Sequence, residues 1–239
     1  MKNDAPALSW IFPLYRTATH LDELLRRVEA ASATMCVSYE VILVDDACPE
    51  GSGAAAERAA ERVEHLRVVR LTMNAGQDAA LRAGLQASRG AWAVLIDADL
   101  QDPPEGVVAL WARRREGWDA VFAQRKGVYT TPARHLSSRL YRTLVSTVGG
   151  LPPGACLFVL INRRLIDRIA ATSHSQPSLL AVIAASSVSC TSVAVTRAKR
   201  SEGRSAYTDL RRVDKGLGSL WQLILHRRLR VPLKEGNKR

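Results

Sequence analysis

"LRVVRLTMNAGQDAALRAGLQASRGAWAVLIDAD", residues 66–99, changes its pattern twice. "LRVVRLT" (66–72) is a short apolar run of strand length. "QDAALRAGLQAS" (77–88) reads as a helix. "AWAVLIDAD" (91–99) reads as a strand again. A strand, a helix and a second strand at this spacing imply parallel strands joined by a crossover.

The same alternation extends outward on both sides. "LSWIFPLY" (8–15) reads as a strand, and "HLDELLRRVEAA" (20–31) as a helix with Leu21, Leu24, Leu25 and Val28 on one face. "YEVILVDDA" (39–47) is a strand that ends in acid, and "GAAAERAAERVEH" (53–65) is a helix. A helix near 105–116 and a strand near 118–124 follow. Such regular alternation predicts an α/β fold, a mostly parallel sheet with helices on its faces. The second half is less regular. It reads as a helix at 132–148, a strand at 156–161 followed by a helix, a strand at 187–196, and a weaker helical pattern at 209–229. No internal repeat or low-complexity linker interrupts it, so one domain with a C-terminal extension is the simplest organisation.

The chain has 239 residues and is 47% hydrophobic, enough for a sizeable core. No run of about 18 apolar residues occurs, so no spanning helix is expected. "MKNDAPALSWIFPLYR" lacks the apolar core and cleavage site of a signal peptide. Cys36, Cys48, Cys156 and Cys190 are far apart and form no CxxC, which argues against a zinc site or a disulfide framework. A reduced, cytoplasmic compartment is expected. The formal net charge is +11, and most of it falls after residue 196, where thirteen Lys or Arg face four Asp or Glu. Such a tail suits a polyanionic partner or, more plainly, a solvated basic face.

In a parallel sheet, ligands bind beyond the carboxyl ends of the strands. Two predicted strands end there in carboxylates: Asp45 and Asp46, then Asp97 and Asp99. In an extended segment, Asp97 and Asp99 point to one side. Two nearby carboxylates repel unless a cation separates them. Mg²⁺ or Mn²⁺ favours oxygen ligands and usually arrives with substrate phosphates. Asn74 and Gly76 form a tight turn before a helix, where backbone can approach a ligand. The plainer reading makes Asn74 or Asp78 a helix cap. No G-x-G-x-x-G follows a strand, and no G-x-x-x-x-G-K-[ST] occurs, so dinucleotide and P-loop fingerprints are absent.

"EVILVDDACPEGSG" (40–53), "NAGQDAALRAGLQASRGAWAVLIDADLQDPPE" (74–105) and "RAKRSEGRSAY" (197–207) together resemble the family 2 glycosyltransferases. They are most similar to the polyprenyl-phosphate branch, the dolichyl-phosphate mannose synthase-like enzymes, over roughly residues 8–231. The resemblance implies a GT-A fold, Rossmann-like in character, a nucleotide-diphosphate sugar donor, a divalent metal (Mg²⁺ or Mn²⁺) and a place in cell-envelope polysaccharide synthesis. Asp46, with Asp45 beside it, would bind the base or ribose. Asp97 would lie at the ribose–diphosphate side, Asp99 would be the main metal ligand, and Gln101 would complete that cluster. Pro13, Tyr15, Asn74, Gly76, Ala98, Arg197, Arg200 and Ser205 would also line the donor. Arg125 and Arg139 match the arginines that grip the acceptor phosphate. Arg197, Arg200, Gly203, Ser205 and Tyr207 match an R-x-x-R-x-x-G-x-S-x-Y loop that closes over the phosphates. The implied catalytic group is Asp97, Asp99, Arg125, Arg139 and Arg200.

A sugar hydroxyl must lose a proton as it attacks, and so needs a base. A phosphate monoester is already ionised and needs positioning instead, which fits an Arg-rich site. Single displacement would invert the anomeric carbon. The sequence departs from the family pattern in three places. "LPPGACLFVLI" (151–161) carries no acid where members have D-x-G-D/C-F. "PLYRT" (13–17) puts Arg16 and Thr17 where Asn-Glu is usual. Many relatives continue into transmembrane helices, and this chain stops at Arg239.

The division expected is a catalytic domain over 1–208 and a basic amphipathic segment over 209–239. In that segment Trp221 and its apolar neighbours stand beside Arg227, Arg228 and Arg230, suited either to an anionic membrane interface or to packing on the domain. The leading expectation is transfer to a polyprenyl phosphate at the cytoplasmic membrane face. A soluble sugar or small-molecule acceptor is the alternative. A basic nucleic-acid-binding protein is the remote one, because no zinc-finger spacing or RNA-binding motif is present; no nucleic-acid partner is expected.

Overall fold

A computed structural model of the chain describes residues 5–126, 150–172 and 178–197. Its centre is a seven-stranded sheet of order β3-β2-β1-β4-β6-β5-β7. The strands are β1 (Leu8–Leu14), β2 (Tyr39–Asp45), β3 (Leu66–Arg70), β4 (Trp92–Leu95), β5 (Ala120–Lys126), β6 (Val159–Asn162) and β7 (Cys190–Thr196). β1 pairs in parallel with β2 and β4, β2 with β3, and β5 with β7. β6 alone runs antiparallel to both of its neighbours, β4 and β5. All six other strands therefore point the same way.

Period-two patterning explains how this sheet is buried on both faces. Along β1, Leu8, Trp10, Phe12 and Leu14 join one apolar cluster, and Ile11 joins the other. Along β2, Val41 and Leu43 face the first cluster, Ile42 and Val44 the second. Helices α1 (Leu21–Met35), α2 (Ser52–Ala60) and α4 (Gly106–Arg113) cover the first face. Helices α3 (Gln77–Ala87), α5 (Arg163–Ala170) and α6 (Leu179–Ala185) cover the second. The single buried indole of β1 finds a partner across the layer, because Trp10 Nε1 donates to Ser32 Oγ of α1 at 3.0 Å. α3 lies close over β1 because Gly84 has no side chain. A Cβ there would stand 2.3 Å from Ile11 Cγ2.

The predicted elements fall within a few residues of the observed ones, with informative exceptions. α1 runs to Met35, four residues past the expected end, and stops where Cys36 turns left-handed at φ 51. The helix expected over 53–65 spans only Ser52–Ala60. The strand expected over 91–99 ends at Leu95. Leu100 adopts a left-handed φ of 59, and Asp99 Oδ1 accepts from Gln101 N at 3.1 Å. That local turn draws the chain out of the sheet, so Asp97 and Asp99 sit beyond the strand rather than alternating along it. α6 was not foreseen. "LLAVIAA" is apolar on every side and shows no stripe. The expected helices at 132–148 and 209–229 lie outside the described residues.

Candidate active site

Strand order reverses at β1, which has β2 on one side and β4 on the other. In open α/β sheets a crevice forms there, beyond the carboxyl ends of the strands. The described candidate residues gather at this edge. Pro13 and Tyr15 stand at the end of β1, Asp45 and Asp46 at the end of β2, and Asp97 to Gln101 after β4. Arg125 is near the end of β5, and Arg197 follows β7. Arg139, Arg200, Gly203, Ser205 and Tyr207 lie outside the described residues.

On the β1–β2 side, short polar contacts lace the loops together. Arg16 is left-handed at φ 61 and holds its guanidinium over the Tyr15 ring, 5.4 Å from the centroid. Its Nε pairs with Glu50 Oε1 at 2.9 Å. Arg16 N and Ser52 Oγ both donate to Cys48 Sγ at 3.3 Å, and Thr17 N donates to Ser52 Oγ at 3.2 Å. Burial raises the Cys48 pKa, but donors from Ser52, Arg16 and Glu50 outweigh it, and the thiol ends below its ordinary value.

Asp45 and Asp46 are buried and hold backbone. Asp45 Oδ1 accepts from Cys48 N at 3.0 Å, and Oδ2 lies 3.6 Å from Arg70 Nε. Gly53 makes room for this carboxylate, since a Cβ there would come within 2.1 Å of Oδ2. Asp46 Oδ1 accepts from Ala75 N at 2.7 Å and Oδ2 from Gly76 N at 2.9 Å. Asn74 Nδ2 closes the loop by donating to the Asp46 carbonyl at 3.2 Å. Gly76, at φ 89, serves as the N-cap of α3 without any side-chain cap. Asn74 stands two residues before that N-cap, and Asp78 lies in the first turn of the helix. Asp78 Oδ1 accepts from Leu179 N at 2.7 Å, tying α3 to α6.

Past β4 the four acids of "DADLQDPPE" part company. Asp97 accepts from Gln77 Nε2 and lies 3.5 Å from an Arg125 Nη. Asp99 accepts from Gln101 N and, at 2.6 Å, from Gln101 Nε2. Glu105 takes Arg27 through two bonds of 2.8 and 2.6 Å. Asp102 is 1% exposed and receives two arginines: Arg125, through Nε at 2.9 Å and through an Nη, and Arg197, whose Nε is 3.2 Å away. The sequence reads Asp102 and Glu105 as the turn and helix-start acids that suit a helix N-terminus, and so they lie: Asp102 in the bend before α4, and Glu105 as its N-cap residue. Both carboxylates pair with arginine as well. Long-range partners across 23 and 78 residues decide this, and no local pattern reports them.

Negative charge accumulates at Asp97. Its pKa is pushed up to about 6, first by withdrawal from water and then by the carboxylates of Asp102 and Asp99, against the opposing charges of Arg125 and Arg197. Among the described residues, no three His, Cys, Asp or Glu side chains converge to hold a metal by themselves. A cation here would draw on Asp97, Asp99, the Gln101 amide and ligand oxygens. Mg²⁺ and Mn²⁺ are usually bound this way, with few protein carboxylates and the substrate's phosphates. The donor set therefore fits such an ion.

The profile described as glycosyl transferase family 2 matches residues 9–166, two thirds of the chain. The chain belongs to glycosyl transferase family 2. A family 2 relative from Klebsiella pneumoniae subsp. pneumoniae, "Undecaprenyl-phosphate 4-deoxy-4-formamido-L-arabinose transferase", is 31% identical over 211 residues, 87% of this chain and 64% of the relative. The Pseudomonas fluorescens (strain Pf0-1) protein of the same name is 32% identical over 210 residues, 87% of this chain and 62% of the relative. The chain thus spans less than two thirds of the length of these curated relatives.

Among solved structures, the mannosyltransferase PcManGT from Pyrobaculum calidifontis, in complex with GDP-Man and Mn²⁺, aligns with a TM-score of 0.66 at 20% identity. It covers 99% of this chain and 67% of that one. S. aureus TarS 1–349 with UDP-GlcNAc aligns at 0.61 and 19% identity, covering 95% and 68%. The fold is the GT-A fold expected from the sequence.

The neutral 151–161 segment proves to be largely core. Leu151, Ala155 and Cys156 are buried, and Cys156 Sγ lies 3.4 Å from the Ala123 carbonyl of β5. Sequence reasoning missed two members of the site. Gln77 was read only as a helix start, and Asp102 only as a turn acid. The Pro-Pro after Asp102 reports only that it is not an interior helical residue, which is the turn reading; nothing local reports its arginines.

Proposed function

We propose that this chain is the catalytic part of an inverting, metal-dependent glycosyltransferase. It moves a sugar from a nucleotide-diphosphate donor to a polyprenyl phosphate such as undecaprenyl phosphate. The observation that carries this reading is the meeting of opposite chemistries at one sheet edge: Asp97 and Asp99 after β4, and Arg125 3.5 Å from Asp97. The names of the two relatives agree with the acceptor class.

In this reading Asp97, Asp99 and Gln101 hold Mg²⁺ or Mn²⁺, which supplies positive charge to the departing diphosphate. Pro13, Tyr15, Asp45, Asp46 and the Asn74–Gly76 turn shape the nucleotide side, with Ala98 beside the metal residues. Asp45 and Asp46 act mainly by fixing backbone, since their oxygens already serve Cys48, Ala75 and Gly76. Arg125 and Arg139 orient the acceptor phosphate, and Arg197, Arg200 and Ser205 close over the phosphates. A phosphate oxygen attacks the anomeric carbon, a carbon–oxygen bond forms, and the bond to the nucleoside diphosphate breaks with inversion. No base is needed, because the attacking oxygen is already ionised. Residues 1–208 form the catalytic unit. The basic segment 209–239 draws it to an anionic membrane surface on the cytoplasmic side. Among the described residues no helix is long and apolar enough to cross a membrane.

The test is transfer of radiolabelled sugar from a panel of nucleotide sugars to undecaprenyl phosphate with Mn²⁺. Asp99→Ala should lose about 100-fold or more in rate, and chelation should abolish transfer. Transfer by Asp99→Ala at the wild-type rate would sink the site.

A further inference from the structure

Asp102 is buried, charged and unused by the mechanism above, yet two of the arginines in that mechanism end on it. Arg125 lies side-on, with Nε and one Nη committed to Asp102. Arg197 is drawn to the same carboxylate by charge: its Nε is buried 3.2 Å from Asp102 Oδ1, with no hydrogen bond made at that nitrogen. Arg125 lies in β5 and Arg197 directly follows β7, its parallel neighbour, and Arg197 N donates to the Lys126 carbonyl at 3.3 Å. Both side chains are about one-fifth to one-quarter exposed, 24% for Arg125 and 21% for Arg197, while Asp102 is 1% exposed. Among the described residues, the second Nη of Arg125 and both Nη atoms of Arg197 have no acceptor.

We infer that Asp102 is a positioning residue: it fixes Arg125 and Arg197 side by side, next to Asp97, as a two-guanidinium cradle for a phosphate group. The inference rests on the proposal that these arginines hold phosphates. An untethered arginine samples many rotamers; the bidentate carboxylate removes that freedom for Arg125, and its charge holds Arg197 alongside, before the ligand arrives. Pre-organised donors lose less on binding than mobile ones. The phosphate chemistry is shared by the donor's diphosphate and the acceptor's monoester.

Two roles for Asp102 predict opposite signs. As a mere negative charge it repels anions, and Asp102→Asn would bind them more tightly. As a positioning residue it aids binding, and Asp102→Asn binds them more weakly. The probe is inorganic pyrophosphate with Mn²⁺, followed by calorimetry on the full chain. Asp102→Asn is expected to weaken pyrophosphate binding about tenfold or more, with binding of Mn²⁺ alone nearly unchanged. Equal or tighter pyrophosphate binding overturns the inference, and so does an equal loss of Mn²⁺ alone, which means general damage to the site. Should Asp102→Asn fail to fold, Asp102→Glu keeps the charge but shifts the carboxylate by one methylene: the positioning role predicts weaker pyrophosphate binding, and unchanged binding overturns it.

In the transfer assay, a raised KM for polyprenyl phosphate alone assigns the cradle to the acceptor, and a raised KM for the nucleotide sugar alone assigns it to the donor. Unchanged kinetics overturn the inference. Wild-type protein that binds pyrophosphate as described but transfers no sugar to polyprenyl phosphate refutes the acceptor reading and leaves the role of Asp102 standing.

Discussion

A carboxylate that accepts two adjacent backbone N–H groups has no close substitute, and Asp46 is such a group, holding Ala75 N and Gly76 N on separate oxygens. An asparagine offers one acceptor oxygen and presents an NH₂ to the other N–H. Asp46→Asn should therefore cost about 1–3 kcal/mol of stability, read by urea unfolding, and it should loosen the Asn74–Gly76 turn enough to weaken nucleotide binding. At this scale the sequence was legible in residue type but not in partnership. Asp97, Asp99, Asp102 and Glu105 are all visible as acids in one short run. Their separate duties depend on Gln77, Gln101, Arg125, Arg197 and Arg27, which folding brings together. Only the Asp99–Gln101 contact is local enough to be read from the chain.

Strands β1, β2 and β3 are joined at their starting ends by one buried glutamate. Glu40 is 2% exposed and accepts from Ser9 Oγ at 2.7 Å, from Arg89 N at 2.6 Å and from an Arg67 Nη at 2.8 Å. Burial alone would raise its pKa, but the Arg89 N–H, the Ser9 hydroxyl and the Arg67 charge outweigh burial and hold it below the ordinary value. A carboxylate with a depressed folded pKa stabilises the fold above its unfolded pKa of about 4.3. That stability is lost as pH falls through the lower folded value. Glu40→Gln should cost about 2–3 kcal/mol near neutral pH. The gap from wild type should narrow in denaturant titrations carried below about pH 4; a gap independent of pH would rule out the ionised role. Elements with one strong period, such as α1 and β2, were readable from pattern alone. β4 was overread because its apolar run continues to Ile96 while the ladder stops at Leu95. α6 was missed because a helix that is buried on nearly every side carries no amphipathic signature.

At the scale of the molecule, charge is distributed in two places. Acids mark the sheet edge after β2 and β4, and thirteen of the basic residues lie from Arg197 onward. Surface attraction of that kind is electrostatic and screened by salt. The full chain should float with vesicles rich in anionic phospholipid at low salt and be released at about 1 M salt. A chain ending at residue 208 should not float. Equal flotation with neutral vesicles would refute a charge-driven association.

The antiparallel strand β6 divides the sheet into two parallel groups, β3-β2-β1-β4 and β5-β7, and joins them through only three and four residue pairs. Asp97 and Asp102 follow the first group, while Arg125 and Arg197 belong to the second. During synthesis the acids therefore leave the ribosome well before their last arginine. Asp102 cannot be neutralised fully until β7 has been made and β6 has stitched the two groups together. Contacts this distant in sequence form late. The Asp102 cluster is therefore completed only once β7 has been made, and a nascent chain halted before β7 holds the carboxylates without their complete counter-charge.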